Sequence, residues 1–136
     1  MGARRKGREA ALQMLYGMDI TGRSAEDAIR AYWTHLGTSS EGEDFANVLV
    51  RGVETHREAI DGKIREVSHH WRLERMTLVD RNILRMATFE LMSLADVPRR
   101  VTLNEAIELA KRFGTDGSAG FVNGVLDRIA SDLAKE

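Results

Sequence analysis

The sequence predicts an all-α protein of about seven helices, and three observations predict it. Apolar residues recur at steps of three and four, the mark of helices with one buried face. A single proline and few β-branched runs leave too few turn and strand signals for a sandwich or barrel. Ala, Leu, Met, Glu and Arg, which favour helices, dominate instead. With 136 residues, 43% of them hydrophobic, the chain can bury a core either as one compact domain or as two small helical halves.

The first helix is expected over about residues 3–19, with Ala11, Met14, Leu15 and Met18 on one face and Thr21-Gly22 ending it. Gly7 lowers its propensity by about 1 kcal/mol relative to alanine, so its first turn is expected to fray without a partner. Ser24 reads as the N-cap of a second helix carrying Ala28, Ile29, Tyr32, Trp33 and Leu36. That helix is expected to stop at Gly37 and to be followed by a polar linker, Thr38 to Gly42. Ser40 and Glu43 then have capping-box spacing. A stripe of Phe45, Leu49, Val53, His56, Ile60, Ile64, Val67 and Trp71 follows, as one long helix or as two with a bend near His56 or Gly62.

Thr77 and Asp80 cap a helix running to about residue 95, and its apolar side chains cover most of the circumference, as in a helix buried on all sides. Glu90 falls among them, so its charge must be paired or hydrogen-bonded, and a salt bridge to an arginine is expected. Asp96-Val97-Pro98 breaks this helix. Thr102 and Glu105 have capping-box spacing for the next, which places Leu103, Ala106, Ile107, Ala110 and Phe113 on one face. A loop from Thr115 to Gly120 leads to a last helix with the stripe Val122, Val125, Leu126, Ile129 and Leu133.

The same residues exclude several functions. There is no cysteine, hence no disulfide, cysteine–zinc site or thiol catalysis, and no need of an oxidising compartment. None of the four histidines pairs with another at i+4, so no metal is expected, and His69-His70 reads as a solvated pair. P-loop, nucleophile-elbow and dinucleotide-binding motifs are absent, so neither a catalytic residue nor a cofactor is expected. Gly117-Ser118-Ala119-Gly120 matches the GXXG of a KH domain, but that motif works inside a mixed helix–sheet fold, and here it reads as a helix–helix loop. No apolar run reaches the roughly 20 residues of a membrane span, and no apolar stretch follows the basic N-terminus as in a signal peptide, so a cytoplasmic protein is expected. The net charge of −1 conceals Arg4, Arg5, Lys6 and Arg8, which no acid interrupts. Such a cluster suits nucleic-acid phosphates or is a solvated terminus, and charge alone does not choose.

The order of segments does choose. Arg4 to Tyr16 (RRKGREAALQMLY), Val79 to Ala87 (VDRNILRMA) with Phe89-Glu90-Leu91, Asp96-Val97-Pro98, Asn104 to Lys111 (NEAIELAK) with Phe113-Gly114, and Phe121 to Asp127 (FVNGVLD) together resemble the NusB family of transcription antitermination factors. The resemblance extends over nearly the whole chain, residues 21–42 carrying little of it. It implies a single all-helical domain, residues 1–136, of two small bundles (about 1–72 and 73–136) joined by a central buried helix. It also implies binding of the boxA element of nascent RNA together with NusE, a small-subunit ribosomal protein, and assembly of antitermination complexes on RNA polymerase, notably in ribosomal RNA synthesis.

Carried across by position, the resemblance places Arg4, Arg5, Lys6 and Arg8 on phosphates, and Phe121 and Asn123 beside RNA bases, with Phe121 otherwise a core residue. Glu74 and Asp80 match acids that face NusE, although both also suit capping of the central helix, and Tyr16 and Arg85 border either surface. Gly120 departs from the family, many of whose members have lysine there. NusB-like domains also occur fused to an RNA cytosine methyltransferase, but this chain has neither the cofactor domain nor the reactive cysteine of that enzyme. The third reading is a helical adaptor that forms a homodimer through its apolar faces and ignores RNA.

Overall fold

The computed structural model describes residues 2–36, 40–69 and 71–136, with the backbone alone described at Leu36. The expected helix stop at Gly37, the linker residues Thr38 and Ser39, and His70 lie outside the described residues. Seven α-helices, and no strand, are present among the described residues. They are α1 (Ala3–Thr21), α2 (Ala25–Ala31), α3 (Glu43–Thr55), α4 (Arg57–Val67), α5 (Leu78–Ser93), α6 (Arg99–Phe113) and α7 (Ser118–Asp132). A π-helical turn, Tyr32–Leu36, continues α2, and a 3-10 turn, Leu73–Arg75, precedes α5.

The chain divides into two compact units, Met1–Thr55 and His56–Glu136. The boundary therefore falls at His56, earlier than the division near residue 72 that the resemblance implies. The physical reason lies in α4, which packs against α5 and α7 and so belongs with them. The stripe from Phe45 to Trp71 is accordingly two helices, and it ends at Val67, leaving Trp71 largely exposed.

In the first unit, α1 packs on α3, and α2 contacts both. Ala11, Met14, Leu15 and Met18 are buried, as the periodicity predicts. Ser24 is the N-cap of α2, its Oγ accepting from the Asp27 N–H at 3.2 Å. Glu54 of α3 accepts from the Ala25 N–H at 2.7 Å, satisfying another of the donors that a helix start leaves unpaired. The Trp33 indole donates to Asn47 Oδ1 at 2.8 Å, which ties the π turn to α3.

In the second unit, α5 is buried along its whole middle, from Asn82 to Leu91, and packs against α4, α6 and α7. Thr77 caps it, accepting from the Asp80 N–H at 3.1 Å. Glu90 is fully buried and accepts from the Thr102 hydroxyl at 3.0 Å. Thr102 is therefore a buried partner and not a cap: α6 begins three residues earlier, with Pro98 as its N-cap residue. Proline suits a helix start, since the N–H it lacks would find no partner inside the helix. Phe113, expected on the core face of α6, is exposed beneath the Arg112 guanidinium at 4.9 Å.

Candidate nucleic-acid interface

The basic residues of the first unit occupy the opening two turns of α1, but they do not form one exposed patch. Arg4 and Lys6 are exposed, Arg5 is half-buried, and Arg8 is only 3% exposed. The guanidinium groups of Arg4 and Arg8 stand over the Phe45 ring, 4.8 and 5.0 Å from its centroid. Arg8 is thus a packed cation, and the more exposed charge of this stretch rests with Arg4, Arg5 and Lys6. Lys6 meets Glu41 at 3.2 Å in a half-exposed ion pair, of a kind that contributes at most about 1 kcal/mol and that a phosphate can displace. An open cleft of about 530 Å³ lies against Arg4, walled by Ser40, Gly42, Glu43, Asp44 and Phe45.

Gly7 explains how α1 comes so close to this segment. It is buried, and a Cβ added to it would stand 2.8 Å from the Gly42 carbonyl oxygen and 3.3 Å from Phe45 Cδ2. The glycine read in the sequence as a weak point in the helix is the point where the helix docks.

The second unit carries a cleft of about 280 Å³ lined by Trp71, Arg75, Thr77, Asp80, Thr115, Asp116, Ser118 and Phe121, among others. Trp71 and Phe121 meet edge to face, with ring centroids 5.8 Å apart. The starts of α5 and α7 both border the cleft. Asp80 Oδ1 is buried there with no hydrogen-bond partner among the described residues. Asn123 is exposed on the next turn of α7. The GXXG segment straddles the start of α7, with Gly117 as the N-cap residue and Ser118 to Gly120 already helical. Gly120 is exposed, and a Cβ added there would meet nothing within 4 Å.

Of the residues carried over as partner-facing, Tyr16 is 40% exposed on α1, and Glu74 is exposed on the 3-10 turn. Glu74 pairs with Arg65 at 2.9 Å, and this guanidinium holds its carboxyl below the usual carboxylate range. Arg85 is different: it is 6% exposed and fixed by Asp61 of α4, Nε to Oδ1 at 2.8 Å and Nη2 to Oδ2 at 3.0 Å. A guanidinium held in that bidentate, buried pair is structural, which corrects its expected place at a binding surface. Sequence reasoning also did not single out Phe45, Trp71, Arg75 or Thr115 as site residues. Phe45 and Trp71 stood only in an apolar stripe, and neither Arg75 nor Thr115 carries a local signal.

The NusB family model matches residues 5–131 of this chain. The chain belongs to the NusB family. The transcription antitermination protein NusB of Sorangium cellulosum is 50% identical over 135 residues, covering 99% of this chain and 96% of that protein. Among solved structures, NusB of T. maritima superposes with a TM-score of 0.84 at 38% identity, covering 95% of this chain and 91% of that one. A structure of the antitermination factors NusB and NusE in complex with dsRNA contains a chain matching at TM-score 0.83 and 27% identity, with 96% of this chain and 97% of that one covered. The all-helical fold expected of the family is therefore the fold observed. No helix among the described residues is long and apolar enough to cross a membrane.

Proposed function

We propose that this NusB-family chain is a non-enzymatic antitermination factor that binds boxA RNA together with NusE, in the cytoplasm, and joins antitermination complexes on RNA polymerase during ribosomal RNA synthesis. The observation that carries the reading is the shared fold with a NusB chain solved beside NusE and RNA. The chemistry of both units supports it. Arg4, Arg5 and Lys6 offer phosphates three cations within the first turn of α1. The Trp71–Phe121 cleft offers an unpaired base an aromatic wall, and stacking on such a wall contributes about 1–3 kcal/mol per base. The homodimeric adaptor that ignores RNA has no comparable observation in its favour.

The test is a titration of boxA-containing RNA against a scrambled control, with and without NusE. Replacing Arg4, Arg5 and Lys6 together by alanine should weaken boxA binding at least tenfold with helicity unchanged. Arg8 is spared because it is packed. The log–log dependence of affinity on salt should also flatten by about 2, at roughly 0.7 for each of three lost phosphate contacts on single-stranded RNA. Undiminished binding by the triple variant would refute the first-helix site.

Glu74 and Asp80 are proposed to face NusE, whose basic surface their charge would steer, and Tyr16 is proposed to border either the NusE or the RNA surface. Asp80→Lys should weaken NusE binding several-fold more than it weakens RNA binding alone. Because Asp80 lines the cleft that holds Phe121, an equal loss of both would reassign it to the RNA.

A further inference from the structure

We infer that Trp71 and Arg75 complete an RNA subsite with Phe121 in the second unit: Trp71 supplies the face on which one unpaired base stacks, and Arg75 takes the phosphate beside it. The inference deepens the RNA-binding reading above and rests on it, and it assigns roles to two residues outside the basic turn of α1.

The rings come first. Trp71 and Phe121 meet edge to face at 5.8 Å, an arrangement that occupies the face of one ring at most. Trp71 is nonetheless 62% exposed, whereas Phe121 is half-buried, so the open face belongs to Trp71 and Phe121 braces it. The backbone of Trp71 is held as well, its N–H donating to the carbonyl oxygen of buried Ser68 at 2.9 Å. A braced indole with an open face is a platform on which any base can stack.

Charge decides the second role. Two carboxylates, Asp80 and Asp116, line this cleft, and Arg75 is the one cation among the described residues lining it. Without Arg75 the lining would carry two negative charges and no positive one, and it would repel the backbone of a strand whose base reached Trp71. Arg75 stands exposed on the 3-10 turn, which buried Leu73 anchors. Its guanidinium has no hydrogen bond or ion pair among the described residues, so its donors are open to a phosphate. A cationic side chain from a protein would suit the two acids but would meet Arg75 as it entered. A neutral base suits the ring, and its phosphate suits Arg75.

The experiment titrates the full chain with the boxA-containing RNA, with and without NusE, for the wild type, Trp71→Leu, Trp71→Phe, Arg75→Ala and Arg75→Lys. Both positions are exposed, and circular dichroism checks that each variant is folded. Trp71→Leu should bind RNA about five- to a hundredfold more weakly with an unchanged salt slope, since a neutral ring releases no counterions. Trp71→Phe should keep most of the affinity. Arg75→Ala should bind several-fold more weakly and flatten the log–log salt dependence by about 0.7, one phosphate contact, while Arg75→Lys keeps the slope. The RNA should quench tryptophan fluorescence more in the wild type than in Trp71→Phe, where Trp33 alone remains.

Wild-type affinity in Trp71→Leu, or a wild-type salt slope in Arg75→Ala, would overturn the subsite while leaving RNA binding to the basic turn of α1. So would a Trp71→Phe protein no better than Trp71→Leu, because the ring's face would then not be what binds. Variants that weaken NusE binding but leave RNA binding alone untouched would give the cleft to the protein partner and overturn the inference equally. A wild type that does not bind the RNA at all would remove the RNA reading, and this inference with it.

Discussion

Asp61→Ala should destabilise the second unit by about 3–5 kcal/mol, the usual result of removing one member of a buried ion pair. Asp61 and Arg85 are 7% and 6% exposed, and they join α4 to α5 through two charge-assisted hydrogen bonds. Alanine would strip Arg85 of both these bonds while leaving its charge away from water, and the loss of that paired carboxylate is the main source of the destabilisation. The pair itself need not be a net stabiliser, because bringing two ions out of water opposes their attraction. A double variant, Asp61→Leu with Arg85→Met, removes both charges and refills the volume. It should recover most of the lost stability, to within about 1–2 kcal/mol of the wild type. Urea unfolding measures both variants, and amide exchange along α4 and α5 locates the change. An Asp61→Ala protein within about 1 kcal/mol of the wild type would show that Arg85 finds water or another partner when Asp61 is gone.

Arg85 also marks where sequence reasoning stops. Its partner lies 24 residues away on another helix, and periodicity relates only residues a few positions apart. Features whose causes are local were legible. Ser24 and Thr77 were read as caps because a cap is set by a side chain and a backbone N–H three residues on. The burial of α5 was legible because apolar residues surround it on every side. Thr102 misled because capping-box spacing is only a spacing: the hydroxyl points to buried Glu90, twelve residues back. The basic turn was found from composition, but its division into three outward cations and one packed arginine was not. That division depends on Phe45, which a linear pattern places merely in the core of α3.

Gly42→Ala should destabilise the first unit by about 2–5 kcal/mol, and Gly7→Ala should destabilise it as well, against what helix propensity alone predicts. Gly42 has φ +81°, a left-handed conformation that costs a residue with a Cβ about 1–2 kcal/mol. Its added Cβ would also collide with the Ala3 carbonyl oxygen and stand 2.7 Å from the Gly7 nitrogen, all of it backbone that cannot turn aside. Overpacking of that kind typically adds about 1–3 kcal/mol. Gly7 poses the sharper question, because alanine in mid-helix is favoured over glycine by about 1 kcal/mol. If α1 were an independent basic helix, Gly7→Ala would raise the melting temperature. With the Gly42 carbonyl 2.8 Å from the new Cβ, the helix must instead lift from the start of α3, and the melting temperature should fall. A more stable Gly7→Ala protein would mean that the crossing is looser than 2.8 Å implies.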